Sequence, residues 1–260
     1  MISIHEHSFS EVVDDVKTEQ TVYEQLLKDK KHNRQVNYVA LPLAHLINTK
    51  GIPYTQHILN TLQKKRPERK TFVCQHIHVK YLNFFDNDVY TPHATSKDNY
   101  KVIPHYNPCV KINNYIELSL RKYKFSFVGA YKTHPLRREF SKANLPDAII
   151  RDTGEWHFYK KDRAEQTSQY VDILCNTKYA LCPPGTGPST IRLYEAMAAG
   201  CTPVIFNDVK VPDGIEPYVV RIKNVDDVKS IEMIDNSEAI HKIYWNNLSN
   251  DQLYKFILHE

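Results

Sequence analysis

The sequence predicts an α/β fold in which parallel sheets are covered by helices on both faces, distributed over two units. Three observations predict it. Short apolar, β-branched runs alternate with segments of helical spacing along most of the chain, the pattern of strand–helix–strand crossovers. At about 150 residues per domain, the 260 residues leave room for a second unit. An apolar share of 42% beside a charged share of 25% is that of a globular protein with a sizeable core.

Taken in order, residues 10–31 carry Val12, Val13, Val16, Val22, Leu26 and Leu27 at helical spacing, with charges between them. VNYVALPL at 36–43 reads as a strand, and YTQHILNTLQKKR at 54–66 as a helix stopped by Pro67. TFVCQHI at 71–77 is short, apolar and β-branched, hence a buried strand. Residues 86–110, broken by Pro92, Pro104 and Pro108, read as loop with short extended pieces. A second rhythm begins near residue 123. KFSFVGAY at 124–131 is a strand running into a glycine turn, LRREFSKA at 136–143 opens a helix, and AIIRD at 148–152 is a strand. Next come a helix at 170–177, a strand at 178–184, a helix at 189–200 and a strand at 201–206. VVRIK at 219–223 is a further strand, and residues 237–259 read as helical. The boundary falls between residues 111 and 123, giving domains 1–118 and 119–260, with the closing helix able to pack back on the first.

Bulk properties narrow the function. The net charge of +4, from 34 basic and 30 acidic side chains, is too even to demand nucleic acid but suits an anionic small ligand. Cys74, Cys109, Cys175, Cys182 and Cys201 are widely spaced with no C-x-x-C pair, which predicts reduced, mostly buried thiols and a cytoplasmic protein. No run approaches the ~20 apolar residues of a membrane span, and the N-terminal residues lack a secretory pattern.

The densest information lies in CPPGTGPSTIRLYEAMAAGCTPVIF, residues 182–206. Gly185, Gly187 and Gly200 stand at the two ends of one expected helix, which starts at Pro188 or Ser189 and ends in a left-handed cap at Gly200. Gly185 and Gly187 let the backbone approach a ligand closely, beside a helix start whose partial charge of about +0.5 favours a phosphate. Arg192 and Glu195, three apart, are neighbours on one face. Arginine suits phosphate oxygens and glutamate suits sugar hydroxyls. The plain alternative is an ordinary turn with a surface ion pair worth tenths of a kcal/mol, and local chemistry leaves both open. The loop is neither a P-loop nor a full G-x-G-x-x-G.

Two further groups invite a role. YLNFFDND at 81–88 spaces Asp86 and Asp88 to hold Mn²⁺ or Mg²⁺ against a diphosphate, although Asp/Asn clusters equally mark turns. His76 and His78 alternate on the expected strand and so share a face. Zinc would need further ligands that the spacing does not supply, and solvated or hydrogen-bonded histidines are the alternative. His93 sits on the proline-marked loop TPHAT.

The stretch Tyr179–Phe206 resembles the signature of exostosin-like glycosyltransferases of the GT47 type. There an apolar strand ends in a C-P…G turn, followed by an S-x-R-x-x-E-A helix and a G-C…P-V strand. Cys182, Pro183, Gly185, Gly187, Ser189, Arg192, Glu195, Gly200, Cys201, Pro203 and Val204 match it. FSFVGA with the following Arg137 and Arg138 resembles the family's F-x-G element, and VIPHYN at 102–107 its I-P segment. The resemblance implies a GT-B fold, two Rossmann-like domains with parallel sheets facing each other across a cleft, with the donor held by the C-terminal one.

It also implies an inverting transferase that moves a sugar from a nucleoside diphosphate to a glycan hydroxyl. Through compact members found in large algal viruses, it implies xylose from UDP-xylose in viral glycoprotein glycan synthesis. Arg137, Arg138 and Arg192 would then neutralise the diphosphate, with Lys132, Ser189 and Thr190 in support and Gly185 and Gly187 forming the cradle. Arg137 and Arg138 adjoin on a helix and cannot easily both face the site. Glu195 would grip the ribose, and His76, His78, His93, Asp86 and Asp88 stand unranked as general base. No metal and no cofactor beyond the donor is expected, because cationic side chains and N–H groups take over the metal's task. The partners are a nucleotide sugar and an oligosaccharide acceptor, with no nucleic acid and no membrane span; oligomeric state is left open. The alternatives are a non-catalytic sugar-nucleotide or glycan-binding module, and a metal-dependent GT-A transferase using Asp86 and Asp88.

Overall fold

A period of two organises the first sheet. In this computed structural model, which describes residues 2–4, 9, 16–29, 36–109, 115–155 and 164–258, the first five strands are β1 (Ile2–Ile4), β2 (Tyr38–Ala40), β3 (Thr71–Val73), β4 (Asp88–Thr91) and β5 (Lys101–Val102). They pair in parallel, in sequential order. Val39, Phe72 and Val89 point to one face, where they pack on Leu43, Leu46, Ile58 and Leu59 of α2 (Leu43–Lys65). Tyr38, Ala40, Val73 and Tyr90 point to the other, against Val22 and Leu26 of α1 (Lys17–Lys28). Both faces are therefore dry, as parallel strands require.

The boundaries differ from expectation for local reasons. The α2 helix begins at Leu43 rather than near Tyr54, and it is interrupted at Gly51, whose φ of 83° breaks the helical run. Pro53 follows in the first turn of the resumed helix, where its missing N–H costs nothing. Of the expected first helix, residues 10–15 and 30–31 lie outside the described residues. The expected closing helix is split. α6 (Ser237–Ile243) and a π-turn end at Ser249, and the segment Asn250–Ile257 is 3₁₀ in character. Leu253 and Ile257 of that segment sit in the core with α1, and Gln25 Nε2 donates to the Asn250 carbonyl at 2.7 Å.

The second sheet contains β6 (Tyr123–Gly129), β7 (Ala148–Asp152), β8 (Thr177–Leu181), β9 (Thr202–Phe206) and β10 (Val220–Ile222), all parallel, in the order β10-β9-β8-β6-β7. Its helices are α3 (Pro135–Lys142), α4 (Ala164–Cys175) and α5 (Arg192–Ala198), followed by α6. The order runs outward in both directions from β6 and β8. That makes the gap between their carboxyl ends a topological switch point, the place where open α/β sheets bind ligands. Phe125, Phe127, Tyr179, Leu181 and Val204 fill the core on one face.

The chain divides into Met1–Tyr106 with Asn250–Glu260, and Asn107–Ser249. The expected 118/119 boundary thus falls inside the second unit. Residues just before β6 are bound into it: Asn107 Nδ2 donates to Tyr244 Oη at 2.9 Å, and Arg121 Nη1 to the Thr177 carbonyl at 2.7 Å. Two α/β units, each on a five-stranded parallel sheet, are the composition of a GT-B fold. All five cysteines are buried and free. Among the described residues no helix is long and apolar enough to cross a membrane.

Gly200 closes α5 as expected. Its φ is 71°, its N–H bonds the Met197 carbonyl and the Cys201 N–H reaches back to Ala196, a Schellman arrangement. A Cβ at Gly200 would lie 2.9 Å from the Ser237 carbonyl oxygen. Gly200→Ala is expected to cost about 1–3 kcal/mol, measured by urea unfolding. Gly185→Ala, whose Cβ would meet only the end of the Arg137 side chain, is expected to cost less.

Candidate functional site

Two loops leave the switch point, one after β6 and one after β8, and two arginines are packed between them. Arg137, on α3, sends Nε to the Pro184 carbonyl at 2.9 Å and Nη1 to the Ala130 carbonyl at 3.2 Å. Arg192, at the start of α5, donates through Nη2 to the Val128 carbonyl. Both guanidiniums lie near the ring of Phe127, at 5.6 and 4.4 Å from its centroid. The arginines are only 6% and 5% exposed. Gly129 and Gly185 are needed for closeness rather than for backbone twist. A Cβ at either would lie 2.6 Å from Arg192 Nη2 or 2.9 Å from Arg137 Nη2, and neither glycine has a positive φ.

The electrostatics are unusual for an interior. Burial, and then the Arg192 charge, pushes Arg137 down to about 10, which still leaves its side chain protonated at neutral pH. Arg192 Nε and Nη1 and Ser189 Oγ are buried with no hydrogen-bond partner. Each such group costs about 1–3 kcal/mol, more when charged. Unspent donors on a buried cation, at the carboxyl ends of parallel strands, are what an anion-binding site needs.

Several expectations are corrected here. The helix begins at Arg192, not at Pro188 or Ser189, and has seven residues. Ser189 therefore caps nothing, and the positive charge of the site comes from guanidiniums rather than from a helix start at the glycine loop. All seven residues of α5 are buried, so Arg192 and Glu195 do not form a surface ion pair. Glu195 is 2% exposed, accepts from Tyr170 Oη at 2.6 Å and is hydrogen-bonded to the Cys109 thiol. Burial foremost raises its pKa.

Of the other donor-site candidates, Gly187 closes the loop by accepting from the Gly185 N–H at 3.1 Å. Thr190 Oγ1 accepts from the Arg192 N–H at 3.4 Å. Arg138 is exposed while its neighbour Arg137 is buried. Lys132, also exposed, lies 3.9 Å from Glu155.

Beside this pair is a cavity of about 230 Å³ between the end of β7 and α4, lined by Val128, Asp152, Thr153, Gln166, Gln169 and Tyr170 among others. Asp152 Oδ1 accepts from the N–H groups of Tyr131 (3.0 Å) and Gly154 (2.9 Å). These bonds, led by the one from Tyr131, hold its carboxyl below the usual range. Sequence reasoning missed this residue. An acid ending a strand about 20 residues beyond a glycine-closed one was the available signal.

In the first unit, the histidines gather past the carboxyl ends of the strands. His76 and His78 lie in the turn after β3 rather than on the strand. The His78 N–H donates to His76 Nδ1 at 3.0 Å, and His76 Nε2 is 3.0 Å from Asn48 Oδ1. Both ring nitrogens of His76 are thus engaged, with the proton on Nε2. His93 is buried, its ring hydrogen-bonds the Gln75 carbonyl, and its Nδ1 has no hydrogen-bond partner. Its ring lies 5.0 Å from that of His105.

Asp86 and Asp88 lie at the opposite edge of the sheet, around the amino end of β4. Arg69 grips Asp88 with Nε at 2.7 Å and Nη2 at 2.5 Å, and Lys101 Nζ lies 3.0 Å away. Burial pushes the Asp88 carboxyl up, but these hydrogen bonds outweigh it and hold it low. Among the described residues no three His, Cys, Asp or Glu side chains are placed to hold a metal ion.

The Exostosin GT47 domain matches residues 45–231. A probable glycosyltransferase of Arabidopsis thaliana is 32% identical over 73 residues, 28% of this chain and 14% of that protein. A probable xyloglucan galactosyltransferase of the same plant is 26% identical over 96 residues, 35% of this chain and 20% of that one. A probable glucuronosyltransferase of Oryza sativa subsp. japonica is 25% identical over 173 residues, 60% of this chain and 39% of that one. The chain spans well under half the length of these relatives.

Burial pushes His93 down to about 4 from 6.5. As pH falls below 6.5 the unfolded chain takes up a proton that folded His93 refuses until about 4. Stability is therefore fully present above that window and lost through it. The urea midpoint is expected to fall between pH 7 and pH 4.5, and His93→Gln is expected to flatten part of the decline. An equally steep decline in the variant would remove His93 from the account.

Proposed function

The chain belongs to the Exostosin GT47 domain family, and from that premise we propose that it is an inverting glycosyltransferase, moving a monosaccharide from a nucleoside diphosphate to a glycan hydroxyl. One observation carries the reading: a buried pair of guanidiniums, Arg137 and Arg192, with two unpartnered nitrogens at the switch point of the second sheet.

In the reaction, the acceptor oxygen attacks the anomeric carbon from the face opposite the diphosphate. The bond from that carbon to the phosphate oxygen breaks, and its electron pair leaves with the diphosphate. Charge on the leaving group grows toward the transition state, and fixed cations in a dry site stabilise it most there. The acceptor proton passes to a base. The three histidines lie past the carboxyl ends of their strands, and His93 Nδ1 keeps an unengaged lone pair. Asp88 is committed to Arg69 and Lys101. We assign the base to the histidine group and the diphosphate to cationic side chains without a metal.

The donor sugar is a finer step. The relatives named for galactosyl and glucuronosyl transfer differ from each other, so family membership alone does not choose. Likeness to the chlorovirus β-xylosyltransferases that build capsid glycans supports xylose from UDP-xylose, with the host cytoplasm as the place of action.

Purified protein given UDP-xylose and a glycan acceptor is expected to release UDP, with activity unchanged in excess EDTA. Arg137→Ala and Arg192→Ala are each expected to lower turnover by about 10²-fold, with circular dichroism reporting that the variants fold. Abolition of transfer by EDTA, or near-normal turnover in both variants, would count against the site.

A further inference from the structure

An open groove of about 580 Å³ on the first unit has no task in the mechanism above. One wall is the last turns of α2, where Gln56, Asn60, Gln63 and Lys64 recur at three- and four-residue spacing. The other wall is the segment before β4. There Leu82 and Phe84 are buried in the core against α2, while Tyr81, Asn83 and Phe85 stay exposed along the groove. The helix crosses back from the carboxyl end of β2 to the amino end of β3. The groove therefore starts beside the histidine group, where the Tyr81 ring meets that of His78 at 5.5 Å, and leads down the flank toward the amino end of β4.

The two walls are fastened to each other. Gln56 Oε1 accepts from the Asn83 N–H at 2.7 Å, and its Nε2 donates to the Asn83 carbonyl at 3.0 Å and to Asn60 Oδ1 at 2.9 Å. Gln63 Oε1 accepts from Asn87 Nδ2 at 3.2 Å. Nδ2 of Asn60, Nδ2 of Asn83 and Nζ of Lys64 have no partner among the described residues, so the groove offers donors beside two flat rings. Phe85 is its strained part. The φ of 57° is a left-handed conformation that glycine takes freely and bulky side chains rarely adopt. Asn83 Oδ1 holds this turn by accepting from the Phe85 N–H at 2.8 Å. Glycine would serve the turn better, and the ring that phenylalanine adds is 43% exposed rather than spent on the core. Tyr81 is 61% exposed.

We propose that this groove binds a flat, β-linked oligosaccharide, its rings stacked on Tyr81 and Phe85 and its hydroxyls accepting from Asn60, Asn83 and Lys64. The chemistry selects that class. A pyranose presents a face of C–H groups to an aromatic ring, and its hydroxyls accept hydrogen bonds around the rim. A nucleobase edge needs acceptors as well as donors, and the side-chain oxygens of Gln56, Asn60, Gln63 and Asn83 are all engaged already. An apolar protein face would bury the three donors unpaired, which is costly. The volume lies within the range of about 300–1,000 Å³ for ligand sites. The inference rests on the transferase reading in one respect, that the chain held here is the acceptor glycan, kept on the enzyme by the raised local concentration of a tethered ligand.

Calorimetric titration of the full chain with xylotetraose, cellotetraose and chitotetraose, and separately with UDP, tests this. At least one tetrasaccharide is expected to bind, about tenfold more weakly to Tyr81→Ala and to Phe85→Gly, and equally well to Arg192→Ala. Both groove variants are expected to bind UDP as the unaltered chain does. Phe85→Gly is also expected to keep or raise the urea midpoint, because glycine relieves the left-handed strain; a fall would make the ring part of the core and overturn its role here. Tetrasaccharide binding that is absent, or untouched by both groove variants, would overturn the groove and leave the donor site standing. Self-association abolished by Tyr81→Ala, with no saccharide bound, would overturn it in favour of a second copy of the chain. UDP binding unchanged in Arg192→Ala would overturn the donor site and leave the groove as a saccharide site.

Discussion

Two positive charges held side by side out of water are the constraint around which the second unit is arranged. Arg137 and Arg192 repel each other and have lost most of their solvent. They are tolerated because three carbonyls, of Val128, Ala130 and Pro184, accept from them and the Phe127 ring lies beside both. Those carbonyls belong to the end of β6 and to the two loops that leave β6 and β8. The pair therefore ties together the strands whose order creates the switch point. It also favours glycine at 129 and, less strictly, at 185, since a methyl group at either would crowd a guanidinium nitrogen. What the carbonyls leave unsatisfied is the capacity for an anion.

The same constraint explains why α5 is buried throughout. A helix presenting Arg192 inward beneath two loops must bury its other faces as well, against β8, β9 and α6. Glu195 then has nowhere to reach but the interior, where Tyr170 and Cys109 satisfy it. Its hydroxyl partner links α5 to α4, and α4 forms the wall of the adjoining cavity. A change of charge at position 195 would thus be felt at Tyr170 as well as at Arg192.

Much of the second unit was legible because its strands are short, apolar and closed by glycine or proline, so periodicity and punctuation agree. Gly200 announced its left-handed cap in the same way. Less was legible where tertiary packing decided. The start of α5 was misplaced because Ser189 looks like a cap, whereas its Oγ makes no hydrogen bond and the helix begins at Arg192. The choice between a surface pair and a ligand-facing one for Arg192 and Glu195 stayed open because i,i+3 spacing carries no information about burial. The first half of α2 went unread before Gly51 and Pro53, which interrupt the helix in the fold without ending it. His76 and His78 were read onto a strand that ends at Val73. Asp152 drew no attention because a single acid at a strand end is common, and its meaning depends on being in register with Gly129.

A third buried arginine shows why the orphaned nitrogens matter. Arg121 is 3% exposed, as deep as the other two, and its donors are spent on the fold. Nε bonds the Ile116 carbonyl at 2.9 Å, Nη1 the Thr177 carbonyl at 2.7 Å, and Nη2 the Ala199 carbonyl at 2.9 Å. It stitches the segment before β6 to the start of β8 and the end of α5, beside Gly200, and its chemistry is complete without a ligand. Arg192 differs in kind. One of its nitrogens anchors it to Val128, while two others are held dry and unbonded, a cost that Arg121 shows the same sheet can avoid. A fold able to satisfy one buried guanidinium so fully, and leaving another in the same unit so incomplete, keeps the second for a negatively charged guest.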